Sequence, residues 1–358
     1  MKIAFRADAS LEMGTGHVMR CLTLARALRE RGHDCLFIGR EHPGNLLKLI
    51  RDEGFSVHAL SAGGDLDAEL AHAKWLGASQ AEDALACGAL LASWRPDWLV
   101  VDHYALDHRW EVSVRPVGCR VLVIDDLADR QHSCDVLLDQ TFGRSTAAYE
   151  SKVPQGSKLL CGAQYALLRS EFLTWRAYSL QRRSHARLQT VLISMGGVDK
   201  DNATEKVLDA LRSCPLPSNC QITVVMGRTA PWLSAVEEKS RQMPWPTVVH
   251  KNVSNMAEIM AESDLAIGAA GATVWERSCL GLPSIMMVLA ANQRYAARVL
   301  ERAEVVRVVA LSENLVSSLI AEISSITASP DRLSRLSANA STIVDGLGCQ
   351  RVLDQINA

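Results

Sequence analysis

A histidine stands at the mouth of a glycine-lined turn near the start of the chain. Phe5-Arg6-Ala7-Asp8 ends a short apolar segment, and Gly14-Thr15-Gly16-His17 opens a stretch of helical period over 18–29. Glycines at 14 and 16 let backbone approach a ligand, and the free N–H groups of a helix start attract phosphate oxygens. His17 is either a general base, since imidazole titrates near neutrality and can take a proton from water, or a plain helix cap; spacing supports both equally. Arg20, one turn on, either neutralises a phosphate or lies solvated, and Asp8 either orients His17 or caps the loop. A dinucleotide fingerprint would need a third glycine at position 19, where Met stands, so the dehydrogenase reading loses its main support.

Other strand exits carry polar groups. Val100-Val101 ends abruptly in Asp102, His103 and Tyr104, which either contact sugar hydroxyls or are buried partners of a neighbouring loop. Asp125 and Asp126, adjacent after another apolar run, must point differently, which suits structure better than a metal. Ser194-Met195-Gly196-Gly197, ahead of Asp199 and Asn202, forms a close-approach loop. Gly268-Ala269-Ala270-Gly271-Ala272-Thr273 opens the helix of Trp275 and Glu276, and the small residues Gly271, Ala272 and Thr273 clear space for a diphosphate. Glu276 either accepts from a ribose diol or favours the helix dipole. Asn292 and Gln293 either read hydroxyl or acetamido groups or cap the next helix. Walker loops, HExxH, GxSxG and arginine-rich aromatic patches are absent from the sequence.

The elements that would position these groups alternate. Val-, Ile- and Leu-rich runs near 2–6, 35–38, 99–102 and 121–124, then 190–194, 222–226, 265–268 and 284–288, read as strands covered on both faces. Helical stretches such as 203–213 and 331–345 separate or follow them. The expectation is an α/β chain of two Rossmann-like lobes, 1–183 and 184–358, with parallel sheets facing a central cleft in the GT-B manner. Residues 176–187, rich in Arg and His, read as the exposed crossing, and the last helix is expected to pack back on the first lobe. A length of 358 residues, 48% hydrophobic and 22% charged, suits two globular lobes, and a net charge of -2 gives no pull toward nucleic acid or anionic membrane. Ten scattered cysteines without a CxxC pair suggest reduced thiols rather than a zinc site, and no apolar run approaches the ~18 residues of a membrane span. The expected setting is the cytoplasm and the expected state a monomer that binds a small molecule, with no cofactor.

The segments FRADAS, GTGHVMRCLTLA, VDHY, IDDLADR, LLDQ, YALLRSEF, SMGG, GAAGATVWE and ANQ, in this order over residues 1 to roughly 300, resemble the UDP-2,4-diacetamido-2,4,6-trideoxy-β-L-altropyranose hydrolases of pseudaminic acid biosynthesis. That family is similar in turn to the GT-B glycosyltransferase that completes lipid II. The resemblance implies cleavage at the anomeric carbon without a metal, in which water displaces UDP with inversion and the free sugar goes on to condense with phosphoenolpyruvate on another enzyme. It implies that His17 is the general base, that Tyr104 is the active-site tyrosine, and that Glu276 and Asn292 belong to nucleotide-sugar binding. The rival readings are a transferase using the same cleft and a non-catalytic nucleotide-sugar binder.

Overall fold

The computed structural model describes residues 1–64, 69–185, 187–227, 230–290 and 293–357. The chain divides into two compact units, Met1–Leu167 with Gly348–Ala358, and Leu168–Leu347.

The first unit is built on a parallel seven-stranded sheet of β1 (Lys2–Ala7), β2 (Asp34–Arg40), β3 (Ser56–Leu60), β4 (Trp98–Asp102), β5 (Arg120–Ile124), β6 (Val136–Asp139) and β7 (Lys158–Cys161), ordered β3-β2-β1-β4-β5-β6-β7. Its helices are α1 (Gly16–Glu30), α2 (Leu47–Asp52), α3 (Gln80–Trp94) and α4 (His108–Val114). Apolar clusters fill both faces of the sheet. One joins Phe5, Phe37 and Val100 to Leu22, Leu24 and Ile50, and the other joins Ala4, Leu99 and Val121 to Leu91 and Trp110. This double coverage is why the central strands read as unbroken apolar runs.

The second unit holds α5 (Ser170–Arg182), α6 (Ala203–Leu211), α7 (Leu233–Arg241), α8 (Met256–Glu262), α9 (Thr273–Cys279), α10 (Arg294–Arg302), α11 (Leu315–Ala328) and α12 (Pro330–Ile343). They surround a parallel six-stranded sheet of β8 (Thr190–Ser194), β9 (Gln221–Met226), β10 (Thr247–Lys251), β11 (Leu265–Ala269), β12 (Ser284–Val288) and β13 (Arg307–Ala310), ordered β10-β9-β8-β11-β12-β13. The last helix, α13 (Gly348–Ile356), belongs to the first unit, where Ile356 O accepts from Trp98 Nε1 at 3.1 Å.

In each sheet the strand order reverses beside the first strand, between β1 and β4 in one and between β8 and β11 in the other. Open parallel sheets bind ligands outside the carboxyl ends of the strands at such a reversal, so two loci are marked by topology alone. The two sheets contain all eight expected strands and add β3, β6, β7, β10 and β13. Of the added strands, β3 and β10 are half-exposed and lie at sheet edges, while β6, β7 and β13 are four residues each, too short to show a period.

The crossing differs from the expected 183/184 and lies at Leu167/Leu168. The arginines that suggested an exposed segment are consumed inside the second unit. Arg183, 7% exposed, donates to the carbonyls of Met260, Ala261 and Ser263 and so satisfies the C-terminal end of α8, while Arg176 donates to those of Cys279, Ser341 and Val344.

Candidate functional site

At the first reversal, the exit of β1 and the exit of β4 stand side by side, because the parallel register pairs Ala7 with Asp102. After Asp8 the chain folds back through an isolated bridge between Ser10 and Gly14, and Gly14 takes a φ of +78°, a conformation that favours glycine. Gly16 then begins α1, and the N-cap Thr15 makes no side-chain cap bond. A Cβ on Gly16 would meet nothing within 4 Å, so backbone there faces open space.

One residue later, His17 is held by a carboxylate from the other strand. Its Nδ1 lies 2.6 Å from Asp102 Oδ1. Arg20, three residues along and therefore on the same helix face, sends Nε to Asp102 Oδ2 at 2.6 Å and Nη2 to Oδ1 at 2.7 Å. Burial alone would raise the Asp102 carboxyl, but Arg20 and His17 overcome it and hold it well below the usual carboxylate range. Asp102, held ionised, can only accept at this contact, and Arg20 Nη2, 3.3 Å from His17 Nδ1, directs its hydrogen to Asp102 Oδ1 rather than to the ring. The network therefore assigns the proton on His17 to Nδ1, donated to Asp102, which leaves Nε2 with a lone pair and no hydrogen-bond partner among the described residues. A carboxylate that fixes the tautomer and orientation of an imidazole is an arrangement suited to general-base catalysis.

Tyr104 packs edge-on against this imidazole, with ring centroids 4.5 Å apart and planes at 88°. Its hydroxyl donates to Asp126 Oδ1, while Asp126 Oδ2 receives Arg20 Nη1 at 3.0 Å. Burial and then Asp126 push the phenol well above its ordinary range, so Tyr104 stays protonated and orients rather than abstracts a proton. Two residues that carry no distinguishing signal in the sequence complete the surroundings. Trp75 lies 5.7 Å from Tyr104 at 25°, and His72 is wedged against both at 4.4 and 5.3 Å. Burial lowers the His72 pKa.

Asp102, not Asp8, orients His17. Asp8 accepts the Arg40 N–H at 2.6 Å, pairs with Arg6 at 2.7 Å and faces His103 Nε2 at 3.3 Å. His103 Nδ1 accepts the Ala105 N–H at 3.1 Å, so this ring is a buried partner of its own loop rather than a sugar contact. Arg20 likewise spends its guanidinium on Asp102 and Asp126 and is not available to a phosphate. The adjacent carboxylates of Asp125 and Asp126 do diverge. Asp125 accepts from Arg130 at 2.7 Å, from Tyr149 at 2.9 Å and from the Ala128 N–H.

At the second reversal, Gly268 of β11 is in register with Ser194 of β8, which sets the loops 194–197 and 268–273 next to each other. Gly196 takes a φ of +93°, and neither Gly196 nor Gly271 has an atom within 4 Å of where a Cβ would stand. Gly197 is braced from behind, its carbonyl occupying the place where a Cβ on Gly227 would lie. Asp199 accepts the N–H groups of Ala203 and Thr204 at 2.8 and 2.9 Å and so caps α6 rather than facing a ligand. Ala272 precedes and Thr273 begins α9, whose first turn carries Glu276. Burial raises the Glu276 carboxyl, which lies 3.6 Å from Arg169. Gln293 precedes α10, and its Oε1 accepts the Leu289 N–H at 2.9 Å, closing its own turn. Asn292 lies outside the described residues.

Among the described residues no group of three or more His, Cys, Asp or Glu is arranged to hold a metal ion, and no helix is long and apolar enough to cross a membrane. All ten cysteines are free thiols.

Comparison with known proteins agrees with this architecture. Residues 190–347, within the second unit, match the glycosyltransferase family 28 C-terminal domain. An uncharacterised protein of Methanocaldococcus jannaschii is 27% identical over 293 residues, 80% of this chain; the chain spans about half of that relative, 55% of its length. The UDP-2,4-diacetamido-2,4,6-trideoxy-β-L-altropyranose hydrolase of Campylobacter jejuni is 25% identical over 283 residues, covering 77% of this chain and 87% of that protein. The crystal structure of Acinetobacter baumannii MurG superposes with a TM-score of 0.73 over 99% of both chains at 17% identity. The fold is GT-B, as the alternation of strands and helices led one to expect, and the matches support a GT-B glycosyltransferase-like family.

Proposed function

We propose that the chain hydrolyses a UDP-linked 2,4-diacetamido-2,4,6-trideoxyhexose of the altrose type to the free sugar and UDP. The observation that carries this reading is the 2.6 Å contact of His17 Nδ1 with Asp102 Oδ1, from which the proton is assigned to Nδ1 and Nε2 is left as a base. In the proposed step Nε2 takes a proton from water as the water oxygen bonds to the anomeric carbon. The bond from that carbon to the UDP oxygen breaks with its electron pair going to UDP, and the configuration inverts. Asp102 stabilises the imidazolium that forms, and Tyr104, fixed by Asp126, orients the ring it packs against. The glycine loops 194–197 and 268–273 of the second unit hold the nucleotide, with Glu276 toward the ribose. A diphosphate is a good leaving group once its charge is met, so positioning, a base and electrostatic stabilisation suffice. The likeness to the Campylobacter hydrolase supplies the sugar.

A transferase reading is favoured by one finding, the match of residues 190–347 to a glycosyltransferase family 28 domain. Incubation with the UDP-sugar, without acceptor and with EDTA, separates the two by NMR. UDP release identifies hydrolysis, release only with an added acceptor identifies transfer, and no release in either case identifies a binder. His17→Leu is expected to lower turnover by about 10²- to 10⁴-fold while UDP still binds; retained turnover would end the proposal.

A further inference from the structure

A cation taken out of water needs an anion or a full set of acceptors, because the unpaired charge costs several kcal/mol. Among the described residues, the buried arginines obey that rule with one exception. Arg6, Arg20, Arg40 and Arg130 each meet an aspartate at 2.6–2.7 Å, and Arg183 is surrounded by carbonyls. Arg277 on α9 is 1% exposed, and its Nη2 donates to Ala269 O at 3.0 Å. Its Nε has no partner, and no carboxylate lies within 4.0 Å of the guanidinium among the described residues. The adjacent carboxylate, Glu276, is turned to Arg169. Burial pushes Arg277 down to about 10, with Glu276 offsetting part of the effect, so the side chain remains charged at neutral pH.

The position of this charge gives it meaning. Nη1 occupies the place where a Cβ on Gly268 would stand, so the guanidinium presses against the end of β11. Gly268 is in register with Ser194 across the strand reversal, the place where an open parallel sheet takes its ligand. Both loops leaving that edge present backbone to open space at Gly196 and Gly271. We propose that Arg277 is a binding residue that supplies the missing counter-charge to an oxyanion, the diphosphate of a nucleoside diphosphate, held over the loop 268–273. This rests on the nucleotide-holding reading of the second unit but not on hydrolysis.

The test compares UDP, UMP and uridine by calorimetry on the full-length protein, its Arg277→Met variant and its Arg277→Lys variant. Loss of one charge-assisted contact is expected to weaken UDP about 10- to 100-fold in Arg277→Met and to leave uridine within about twofold, with Arg277→Lys recovering most of the difference. Equal weakening of UDP and uridine would mean that Arg277 only braces the strand end, and unchanged UDP affinity would mean that it does nothing for the anion; either overturns the proposal. If Arg277→Met does not fold, inorganic pyrophosphate titrated into the unaltered protein decides: competition with UDP supports the site and no competition overturns it. Diphosphate-selective loss in a protein that never hydrolyses a UDP-sugar would leave this inference standing and sink the hydrolase reading. Hydrolysis with undiminished UDP affinity in Arg277→Met would do the reverse.

Discussion

Replacing Asp102 by Asn changes almost no volume, yet it should remove the base. The carboxylate accepts from His17 Nδ1 and twice from Arg20. An amide has one accepting oxygen, and Arg20, fixed at its other end by Asp126, will claim it. The amide nitrogen then faces Nδ1 as a donor, the ring proton moves to Nε2, and the lone pair that should take a proton from water is gone. General-base help is worth about 10²- to 10⁴-fold, or roughly 2.7–5.5 kcal/mol of barrier, and loss of a tautomer-fixing carboxylate sits toward the upper end. Stability should fall as well. Breaking a buried ion pair costs about 3–5 kcal/mol, and because Arg20 retains Asp126 the lower end applies, a Tm decrease of roughly 6–12 °C for a unit of this size. Turnover measured as UDP release well below that Tm isolates the chemical effect. Since Asp102 acts through His17, His17→Leu with Asp102→Asn should be no slower than His17→Leu alone. A folded Asp102→Asn protein with kcat within threefold of the unaltered one, or a double variant slowed by the product of the two single effects, would refute this reasoning.

Three further outcomes are expected. Tyr104→Phe removes only the bond to Asp126 and should leave the pH profile of kcat/KM in place while lowering kcat by about tenfold or less, as steady-state kinetics would show. Asp83 and Asp125, despite burial, are held at about 2 by Arg6 and Arg130, and Asp8 and Asp102 are also depressed, so their contribution is intact above the unfolded value of 3.8 and is lost as pH falls toward 2. Asp83 alone accounts for on the order of 2 kcal/mol of that loss. Asp139, which burial raises to about 6, works the other way and erodes stability as pH rises from about 4 to 6, so urea midpoints should climb steeply from pH 2 to 4 and flatten above it. Gly268→Ala places a Cβ onto Arg277 Nη1 and 2.9 Å from Ser194 O and should cost about 1–3 kcal/mol, whereas Gly271→Ala meets open space and should leave Tm unchanged while weakening UDP by calorimetry.

The sequence made the strand exits visible because each carries chemistry that a buried strand excludes. Asp-His-Tyr breaks an apolar run at 102–104, and glycine pairs mark 14–16, 196–197 and 268–271. What it could not show was who faces whom. His17 and Asp102 are 85 positions apart, and their meeting depends on β1 pairing with β4 rather than with β5, a fact of strand order. One local signal was available: His17 and Arg20 are three residues apart on one helix face, so a carboxylate pinned by Arg20 would also reach His17. His72 and Trp75 sit in a connection without periodicity, where nothing distinguishes a site residue from a solvated one. The arginines of 176–183 misled for the opposite reason, since long side chains that satisfy helix-end carbonyls from within look like a solvated stretch when read in sequence.

In the proposed reaction, water deprotonated by His17 attacks the anomeric carbon. Hydrolysis of the UDP-sugar in ¹⁸O-water with mass analysis of the released UDP tests this most directly, because the two bonds that could break leave different oxygens on the nucleotide. Attack at carbon leaves UDP free of ¹⁸O, and His17→Leu slows the release of that UDP by about 10²- to 10⁴-fold. UDP that carries ¹⁸O would show attack at phosphorus and contradict a general-base role for the Asp102–His17 pair at the sugar.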